Sequence, residues 1–550
     1  MSVFVLPTGT SQQKLLSGIY EGFPIKVQDD PGEILTYSDT FDWRLFRAGF
    51  TLAVARAGNT RRVELREREG EVVRGRLNRD LRFVSDLPEG PLRDRMESLT
   101  GPRRLLDLAR CQWAGTLVAI LNEDRKTVAR LRFREGPAVA LPEGEPADVP
   151  PRLECLPLKG YEAEAREVQV YLTEKLGLEP DPRTEAETVF EAVGVRPADY
   201  SSSFTLELDP EWPAAAAARA IHRELLHTLQ ANRIGVLKDW DIEFLHDFRV
   251  AIRRTRSALS QIKEVFPATQ VAHFSEEFRW LGSRTGPVRD IDVYLLKIPA
   301  LRDSLRAEAR SDLEPMVQLL REKKRRELRR LRTCLRSRRF QLLMEEWEAF
   351  LQDPGDSGKP GDPAMSGDAA EPEDPEARGS QVPALAWRPI KEVASARIRS
   401  AFEKIMKKGQ AVRKDTTPEA LHRLRIDCKK LRYLLTFFRS LYPEDEIKPL
   451  IKALKRLQDR LGDFNDLQVQ SETLSHLAEE LMAAERGPPA TLLAMGQLMG
   501  QMEGAQAEEL EAFQEYFKRF SRKKNRKRFK RLFSGGSRGG GSPGKEQEAP

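Results

Sequence analysis

Two short segments of the chain carry the same set of basic side chains at the same spacing. They are His246, Arg249, Arg253 and Arg256 in the first segment and His422, Arg425, Lys429 and Arg432 in the second. On an α-helix, which advances by about 100° per residue, offsets of 0, 3, 7 and 10 fall within about 80° of one another. Each segment therefore predicts a helix with one histidine and three cations on a single face, which we call a stripe.

The stripes are suited to binding an anion. Like charges three or four positions apart on a helix repel by about 0.2–0.5 kcal/mol per pair, and an anion would offset that cost. Arginine offers several donors to phosphate oxygens, lysine offers a point charge, and a phosphate-rich surrounding favours protonated histidine. A solvated helix face is the simpler alternative, but it would mix charge signs, and both stripes exclude acids. Metal binding is disfavoured, because neither histidine has a second His or Cys at ligand spacing.

The two segments belong to a longer internal duplication with a constant offset of 176 positions, from His246 to His422. The matched pairs include Pro267 with Pro443, Arg284 with Arg460, Gly286 with Gly462 and Asp290 with Asp466. One pair of repeats predicts two halves packed about a pseudo-twofold axis, with both stripes facing one groove. Arg284 and Arg460 join the binding candidates. The aspartates are expected to aim a basic residue of the stripe, and the glycines to mark a close helix crossing or a helix end.

The elements that must position the stripes follow from hydrophobic periodicity. Residues 1–205 alternate like strands, for example at 51–56 and 127–133, and predict a mixed α/β, mainly antiparallel domain. From Pro213 the periodicity is helical. The expected segments are 213–351 as the first helical half, 352–386 as a disordered acidic Pro/Gly linker, 387–520 as the second half, and 521–550 as a basic, then Gly/Ser-rich disordered tail. The fold class predicted is therefore multidomain α+β.

Composition narrows the class of protein. The 550 residues are 40% hydrophobic and 32% charged, enough for two or three domains with cores, and no apolar run approaches the roughly 20 residues of a membrane span. The start of the chain does not resemble a signal peptide, so we expect a cytoplasmic protein. The four cysteines show no C-x-x-C spacing, so we expect no disulfides and no metal, and we expect no cofactor. Basic runs at 321–340 and 518–531 indicate a polyanionic partner.

The helical region resembles the conserved histidine α-helical domain, called CHAD. Each half of that family carries H-x-x-R-h-x-x-[RK]-[RK]-h-R followed by L-Q-x-x-L-G-x-x-x-D, and HRLRIDCKKLR with LQDRLGDFND matches closely in the second copy. The first copy has LGSRTG in place of the LQ and LG pairs. The resemblance implies two four-helix units about a pseudo-twofold axis, and a basic groove that binds inorganic polyphosphate without catalysis. It adds Arg254 and Lys430 to the binding candidates.

The N-terminal region resembles the CYTH, or triphosphate tunnel, family. The segment YSDTFDWRLFRAGFTL is similar to that family's Y-x-D-T segment, and LECLPLKG to its late glutamate-bearing strand. Enzymes of the family open with an E-x-E-x-K strand that holds the metal, whereas residues 1–7 here contain no acid. Glu154 is retained, but the second acid expected at position 156 is Leu156. The resemblance therefore implies a non-catalytic relative.

Three functions are consistent with these patterns. The leading one is binding of inorganic polyphosphate, with granule targeting or contact with polyphosphate-metabolising enzymes as roles. The second is residual metal-dependent triphosphatase activity in the N-terminal domain. The third is nucleic-acid binding by the 518–531 run, which contains Phe520 and Phe529, although the stripes lack the aromatic platforms that bases stack on. No membrane partner is expected.

Overall fold

The structure, a computed structural model, describes residues 2–6, 11–58, 60–68, 72–352, 383–412 and 417–534. The chain divides into two compact units, Met1–Ser202 and Ser203–Pro550. The predicted domain boundary at residue 205 lies three residues from this division. No helix among the described residues is long and apolar enough to cross a membrane.

The N-terminal unit is built on one antiparallel sheet, which confirms the predicted fold class. Its strands are β1 (Ser2–Val5), β2 (Ile25–Thr40), β3 (Phe50–Ala57), β4 (Thr60–Glu67), β5 (Val72–Arg76), β6 (Leu105–Leu121), β7 (Thr127–Ala140) and β8 (Pro146–Pro157). Their order in the sheet is β1-β8-β7-β6-β2-β3-β4-β5. The alternating segments at 51–56 and 127–133 fall within β3 and β7.

Five helices complete this unit: α1 (Gln12–Gly22), α2 (Arg44–Arg47), α3 (Pro91–Thr100), α4 (Glu162–Glu174) and α5 (Glu185–Ala192). The YSDT segment has a structural role here, because Asp39 accepts hydrogen bonds from the backbone amides of Leu45 and Phe46 at 3.0 and 2.8 Å and so holds the start of α2. Helix α5 begins with a capping box between Thr184 and Glu187.

The second unit, the helical unit, is all α in the residues described. Its helices are α6 (Ala214–Lys238), α7 (Ile242–Gln261), α8 (Ala268–Asp303), α9 (Glu314–Arg336), α10 (Arg338–Gln352), α11 (Ile390–Val412), α12 (Pro418–Phe437), α13 (Glu444–Ala483), α14 (Pro489–Phe520) and α15 (Lys523–Phe533). An offset of 176 carries the starts of α6, α7 and α8 onto those of α11, α12 and α13. The caps repeat too, since Asp241 and Thr417 each accept backbone amides at the start of their helix.

Each half has five helices in the described part of the chain, one more than the resemblance implied. Helix α15 lies in the segment that the sequence assigned to a disordered basic tail, and this assignment was wrong for residues 523–533. Its Phe529 ring stacks on Phe402 of α11 with centroids 3.8 Å apart, and Phe533 is fully buried. Phe529 and Phe533 are four positions apart and form the buried face of a helix whose other residues are mostly charged. The rest of the expected tail, from residue 535, lies outside the described residues.

The two halves are joined by contacts between repeat-equivalent residues. The Ala214 amide donates to the Arg388 carbonyl at 2.9 Å, and the Ile390 amide donates to the Trp212 carbonyl at 2.8 Å. Replacing each residue of the first bond by its repeat equivalent gives the second bond, as is required of contacts across a twofold axis. A single apolar core contains Ala218 of α6 together with Ala394 of α11. The halves therefore form one body with a pseudo-twofold axis.

The predicted linker, 352–386, lies mostly outside the described residues. Its described end belongs to the folded unit, because the Leu385 amide donates to the Glu264 carbonyl at 3.0 Å and Ala386 is buried. The expectation of disorder was wrong for residues 383–386, which are held by the first half.

A buried histidine breaks the symmetry of the apolar core. His222 of α6 is fully buried, and its ring packs edge-on against Trp347 with centroids 4.9 Å apart. The equivalent residue in the second half is Ile398, which is also fully buried. Burial lowers the pKa of His222 to about 3, because the apolar surroundings exclude the charged ring.

We predict that His222→Ile makes the helical unit more resistant to acid. The unfolded histidine binds a proton with a pKa near 6.5 and the folded one only near 3, so stability falls as the pH drops from the first value towards the second. Between about pH 7 and about pH 5 the parent protein should lose about 2 kcal/mol that the variant keeps. Urea unfolding at both pH values measures the difference.

The control is His227→Gln, on the same helix, because His227 is exposed. This change should leave the pH dependence unaltered. An equal response of the parent protein and His222→Ile to acid would show that His222 is not held neutral by burial.

Candidate anion-binding site

The two stripes lie on equivalent helices, α7 and α12, as predicted. Arg249 on α7 donates to the Thr285 hydroxyl at 3.2 Å, and its guanidinium lies 4.0 Å from the Asp290 carboxylate on α8. Arg425 on α12 donates to the Asp466 carboxylate on α13 at 2.9 Å. The repeated aspartates thus aim the repeated arginines, and each arginine keeps further N–H donors for a ligand.

The repeated glycines make room for these arginines. A Cβ on Gly286 would lie 3.2 Å from a guanidinium nitrogen of Arg249, and a Cβ on Gly462 would lie 3.8 Å from that of Arg425. Both glycines are inside long helices, α8 and α13, rather than at a helix end. The position inside a helix rules out the helix end that was one of the two predicted roles. The nearest neighbour at each site is an arginine side chain rather than the backbone of a crossing helix, and only Gly286 is tightly packed against it.

The stripes meet at the pseudo-twofold axis. Burial, followed by the positive charges of Arg425 and Arg253, lowers the pKa of Lys429 to about 8. Arg253 and Lys429 are repeat-equivalent, so each belongs to the same position of its own stripe. Burial also lowers the pKa of Arg254, which lies near Tyr433 and Arg432 of the other half. Cations from both halves are therefore concentrated where α7 and α12 approach each other.

A cleft of about 430 Å³ opens beside this meeting point, and we call it the axis cleft. Four repeat-equivalent pairs line it, which places it on the axis: Asp290 with Asp466, Val293 with Val469, Tyr294 with Gln470, and Lys297 with Thr473. The first stripe contributes His246, Arg249 and Arg253 to the wall. The second stripe is connected to the axis cleft through two of the residues that line the cleft. Arg425 donates a hydrogen bond to Asp466, and the charge of Arg253 helps to lower the pKa of Lys429.

Two cations of the axis cleft were missed by sequence reasoning. Arg289 donates to the Ile242 carbonyl at 2.9 Å and lies 3.7 Å from Glu243, and Lys297 lines the cleft about two helical turns further on. The repeat hid them, because the second half has Asn465 and Thr473 at these positions. The i, i+8 spacing from Arg289 to Lys297 would have placed both on one face of α8.

The second histidine is held in a different way from the arginines. His422 Nδ1 forms a hydrogen bond of 2.6 Å with the side-chain oxygen of Asn465, the residue equivalent to Arg289. His422 is exposed and His246 is half-buried at the wall of the axis cleft. The two halves therefore present the same histidine with different neighbours, and the site is only approximately symmetric.

Several candidates do not line the axis cleft. Arg460 donates to Glu509 of α14 at 3.0 Å and lies over the Tyr516 ring, and Arg284 lies near Cys334 of the equivalent helix α9. Arg256 packs against α8, where its guanidinium would be 3.4 Å from a Cβ on Gly282. Arg432 lies over the Tyr433 ring. Arg284 and Arg460 therefore face the outer helices of their own half, whereas Arg256 faces α8.

Lys430 lines a separate cleft of about 210 Å³ on the other side of α12. Its neighbours there include Lys263, Arg397 and Lys404, and its backbone carbonyl accepts from the Gln261 amide at 3.1 Å. Adjacent positions on a helix face different directions, so Lys429 and Lys430 serve different surfaces. The family pattern alone did not separate them.

The basic run at 321–340 is engaged in ion pairs that hold α9 and α10 to their neighbours. Lys324 lies 2.8 Å from Asp292, and Arg339 lies 2.8 Å from Glu277. Lys323 lies 2.5 Å from Glu480 of the second half. These residues of the run therefore contribute to packing within the helical unit.

A second charged cleft, of about 340 Å³, lies on the sheet of the N-terminal unit, and we call it the sheet cleft. Five arginines and four glutamates line it: Arg62, Arg66, Arg74, Arg132, Arg134, Glu33, Glu64, Glu154 and Glu185. Sequence reasoning singled out only Glu154. Burial, and next the charge of Glu185, raise the pKa of Glu154.

The carboxylates of the sheet cleft are matched to arginines. Arg62 lies 2.5 Å from Glu33 and 2.8 Å from Glu64, and Arg134 pairs with both Glu33 and Glu185, the latter at 2.6 Å. Mg²⁺ in proteins is usually held by one or two carboxylates together with substrate phosphates, whereas Glu33, Glu64 and Glu185 are already paired with arginines here. In the parts of the chain that the structure describes, no three His, Cys, Asp or Glu side chains are grouped to hold a metal.

Comparison with known families identifies a known domain in the helical unit. Residues 220–475 match the model of the CHAD domain, and the match includes both stripes. The helical unit contains a CHAD domain. The antiparallel sheet of the N-terminal unit is compatible with a CYTH-like fold. The residues that line the axis cleft all lie within the matched range, whereas α14 and α15 lie beyond it.

Related proteins and structures cover the same region. Two uncharacterized proteins from strains of Mycobacterium tuberculosis are each 27% identical over 280 residues, which is 50% of this chain and 47% of theirs. The chain thus aligns with about half the length of these curated relatives. The crystal structure of the CHAD domain from the plant Ricinus communis is 25% identical, covers 57% of this chain and 96% of its own, and has a TM-score of 0.43. PptA from Streptomyces chartreusis is 16% identical, covers 56% and 98%, and has a TM-score of 0.38.

The pKa of Lys429 gives the CHAD domain a predicted pH dependence. Without ligand, Lys429 loses its proton at about pH 8, and a bound polyanion should return its pKa towards the ordinary value near 10.4. Binding then takes up a proton, so affinity for polyphosphate should fall up to about tenfold from about pH 7 to about pH 9. Titrations at the two pH values measure the change.

Lys429→Arg is the matched variant, because arginine stays charged over this range. It should bind polyphosphate with an affinity that changes little between the two pH values. The same fall in the parent protein and in Lys429→Arg would assign the dependence to another group and contradict this account of Lys429.

Proposed function

We propose that the helical unit binds inorganic polyphosphate across its pseudo-twofold axis. The observation that carries the proposal is the gathering of basic residues from both stripes where α7 and α12 approach each other, beside a cleft lined by Arg249, Arg253 and Lys297. Concentrating like charges there is unfavourable unless a counter-anion is present. A chain of phosphates supplies negative charge at regular intervals and can extend from one stripe to the other.

The orientation of the arginines supports the same ligand. A hydrogen bond to Thr285 holds Arg249, with Asp290 at 4.0 Å, and a hydrogen bond to Asp466 holds Arg425, which limits the rotamer freedom lost on binding. The guanidinium retains donors in a planar fork that suits phosphate oxygens. The CHAD assignment supports the proposal as well, since the domain is associated with polyphosphate-related binding. Attachment to polyphosphate granules, or delivery to enzymes that act on the polymer, would be the cellular consequence.

Nucleic acid is the less favoured polyanion. Phe520 and Phe529, the aromatic residues of the basic run at 518–531, are 2% and 3% exposed and pack in the core. Rings in that position are not accessible for base stacking, which single-strand binding proteins use. The stripes contain no aromatic residue, so their chemistry favours a polymer without bases.

Charge reversal tests the proposal. Arg249→Glu and Arg425→Glu should each weaken polyphosphate binding by at least about tenfold, because each change removes a charge-assisted contact and adds repulsion. Affinity should also fall steeply with ionic strength. Retention of long-chain polyphosphate by the purified full chain, measured at low and moderate salt, gives both results.

Arg423→Glu is the control, because Arg423 is exposed on α12 but lies outside the stripe. It changes the net charge by the same amount and should alter binding far less. Equal losses in the three variants would indicate general electrostatic attraction. No retention by the parent protein at moderate salt would remove the proposed function.

We propose further that the N-terminal unit does not hydrolyse triphosphates. The support is the pairing of Glu33, Glu64 and Glu185 with arginines, which leaves the sheet cleft poorly suited to a metal ion. Phosphate release from tripolyphosphate on addition of Mg²⁺ or Mn²⁺, lost in Glu154→Gln, would contradict this proposal.

A further inference from the structure

The axis cleft has an apolar wall that a chain of phosphates does not require. Beside its cations, Val293, Val469, Ile291 and Leu320 line the same space. Val469, an apolar residue of α13, is 51% exposed. An apolar surface next to a row of cations fits a ligand that has both a phosphate group and an uncharged body.

A buried hydroxyl points to the same kind of ligand. Tyr294 is 5% exposed and lines the axis cleft, and its hydroxyl forms no hydrogen bond with any residue that the structure describes. Burial raises the pKa of Tyr294, so the phenol stays protonated and can donate. Buried hydroxyl groups nearly always have a partner. The hydroxyl of Tyr294 has almost no exposed surface, so a ligand in the cleft would supply this partner once the ring shifts towards it.

The repeat places a second polar group opposite the tyrosine. The residue equivalent to Tyr294 is Gln470, which lines the same cleft. Its amide nitrogen donates to the Asp466 carbonyl at 2.8 Å, while its amide oxygen can accept. The two halves thus present a donor and an acceptor at one equivalent position, beside the valine pair. This arrangement suits the edge of a heterocyclic base or a sugar.

We propose that the axis cleft binds a nucleoside triphosphate, with its phosphates on Arg249, Arg253 and Lys297 and its nucleoside against the valine pair and Tyr294. The cleft volume of about 430 Å³ is within the range of small-molecule sites. This inference rests on the proposed function, because the same arginines hold phosphate in both. A nucleotide and polyphosphate would therefore compete, and nucleotide level would regulate binding of the polymer.

Comparison of ATP with tripolyphosphate on the full chain tests the nucleoside part. The two probes have similar charge, so ATP should bind at least tenfold more tightly if its nucleoside uses the apolar wall. Tyr294→Phe and Val469→Ser should each reduce that advantage and leave tripolyphosphate affinity unchanged. Arg249→Gln should weaken both probes, and long-chain polyphosphate should displace ATP. Isothermal titration calorimetry gives all of these affinities.

The outcomes separate the two proposals. Equal affinity for ATP and tripolyphosphate, or ATP binding that is unaffected by Tyr294→Phe and Val469→Ser, overturns the nucleotide site and leaves polyphosphate binding intact. Simultaneous binding of ATP and polyphosphate without competition also overturns it. Tight ATP binding without retention of polyphosphate supports the nucleotide site and removes the proposed function. Polyphosphate that displaces ATP from the parent protein supports both.

Discussion

The organisation of the helical unit depends on one unfavourable arrangement, the gathering of cations from both stripes where α7 and α12 approach each other. Burial, and next the charges of Arg425 and Arg253, lower the pKa of Lys429 there to about 8. Two ion pairs lie beside this region, Arg249 with Asp290 at 4.0 Å and Arg425 with Asp466 at 2.9 Å. The fold thus sustains a concentration of positive charge that only an anion would relieve, and the stability to do so must come from elsewhere.

That stability comes from the way the halves are joined. Reciprocal backbone bonds of Ala214 and Ile390 link the starts of α6 and α11, and a single apolar core extends through both halves. The sheet cleft and the axis cleft differ in how their charges are compensated. In the sheet cleft, Glu33, Glu64 and Glu185 each pair with an arginine. The axis cleft has four cations, Arg249, Arg253, Arg289 and Lys297, and two acids, Asp290 and Asp466. The excess of positive charge at the axis cleft favours an anionic ligand there.

The sequence predicted those features that the duplication repeats. The helices of both stripes, the axis, and the pairing of Asp290 and Asp466 with arginines all follow from matched positions. Features at positions that differ between the halves were not predicted. Examples are Arg289, whose equivalent is Asn465, and His222, whose equivalent is Ile398. Helix α15 was not predicted, because its seven cations indicated a solvated tail and nothing in the sequence indicated that Phe529 and Phe533 are buried. The sheet cleft escaped because strand register, which sets Glu64 beside Arg74 and Arg132 beside Glu154, is a non-local property.

The central claim is that both halves hold one anion chain at the axis. The most direct test is the binding stoichiometry of a polyphosphate of defined length, long enough to extend between Arg249 and Arg425, measured by calorimetry on the parent protein and on variants with one stripe neutralised. A shared site predicts one chain per protein molecule, with neutralisation of either stripe weakening that single event. Two chains per molecule, each lost with its own stripe, would contradict the account.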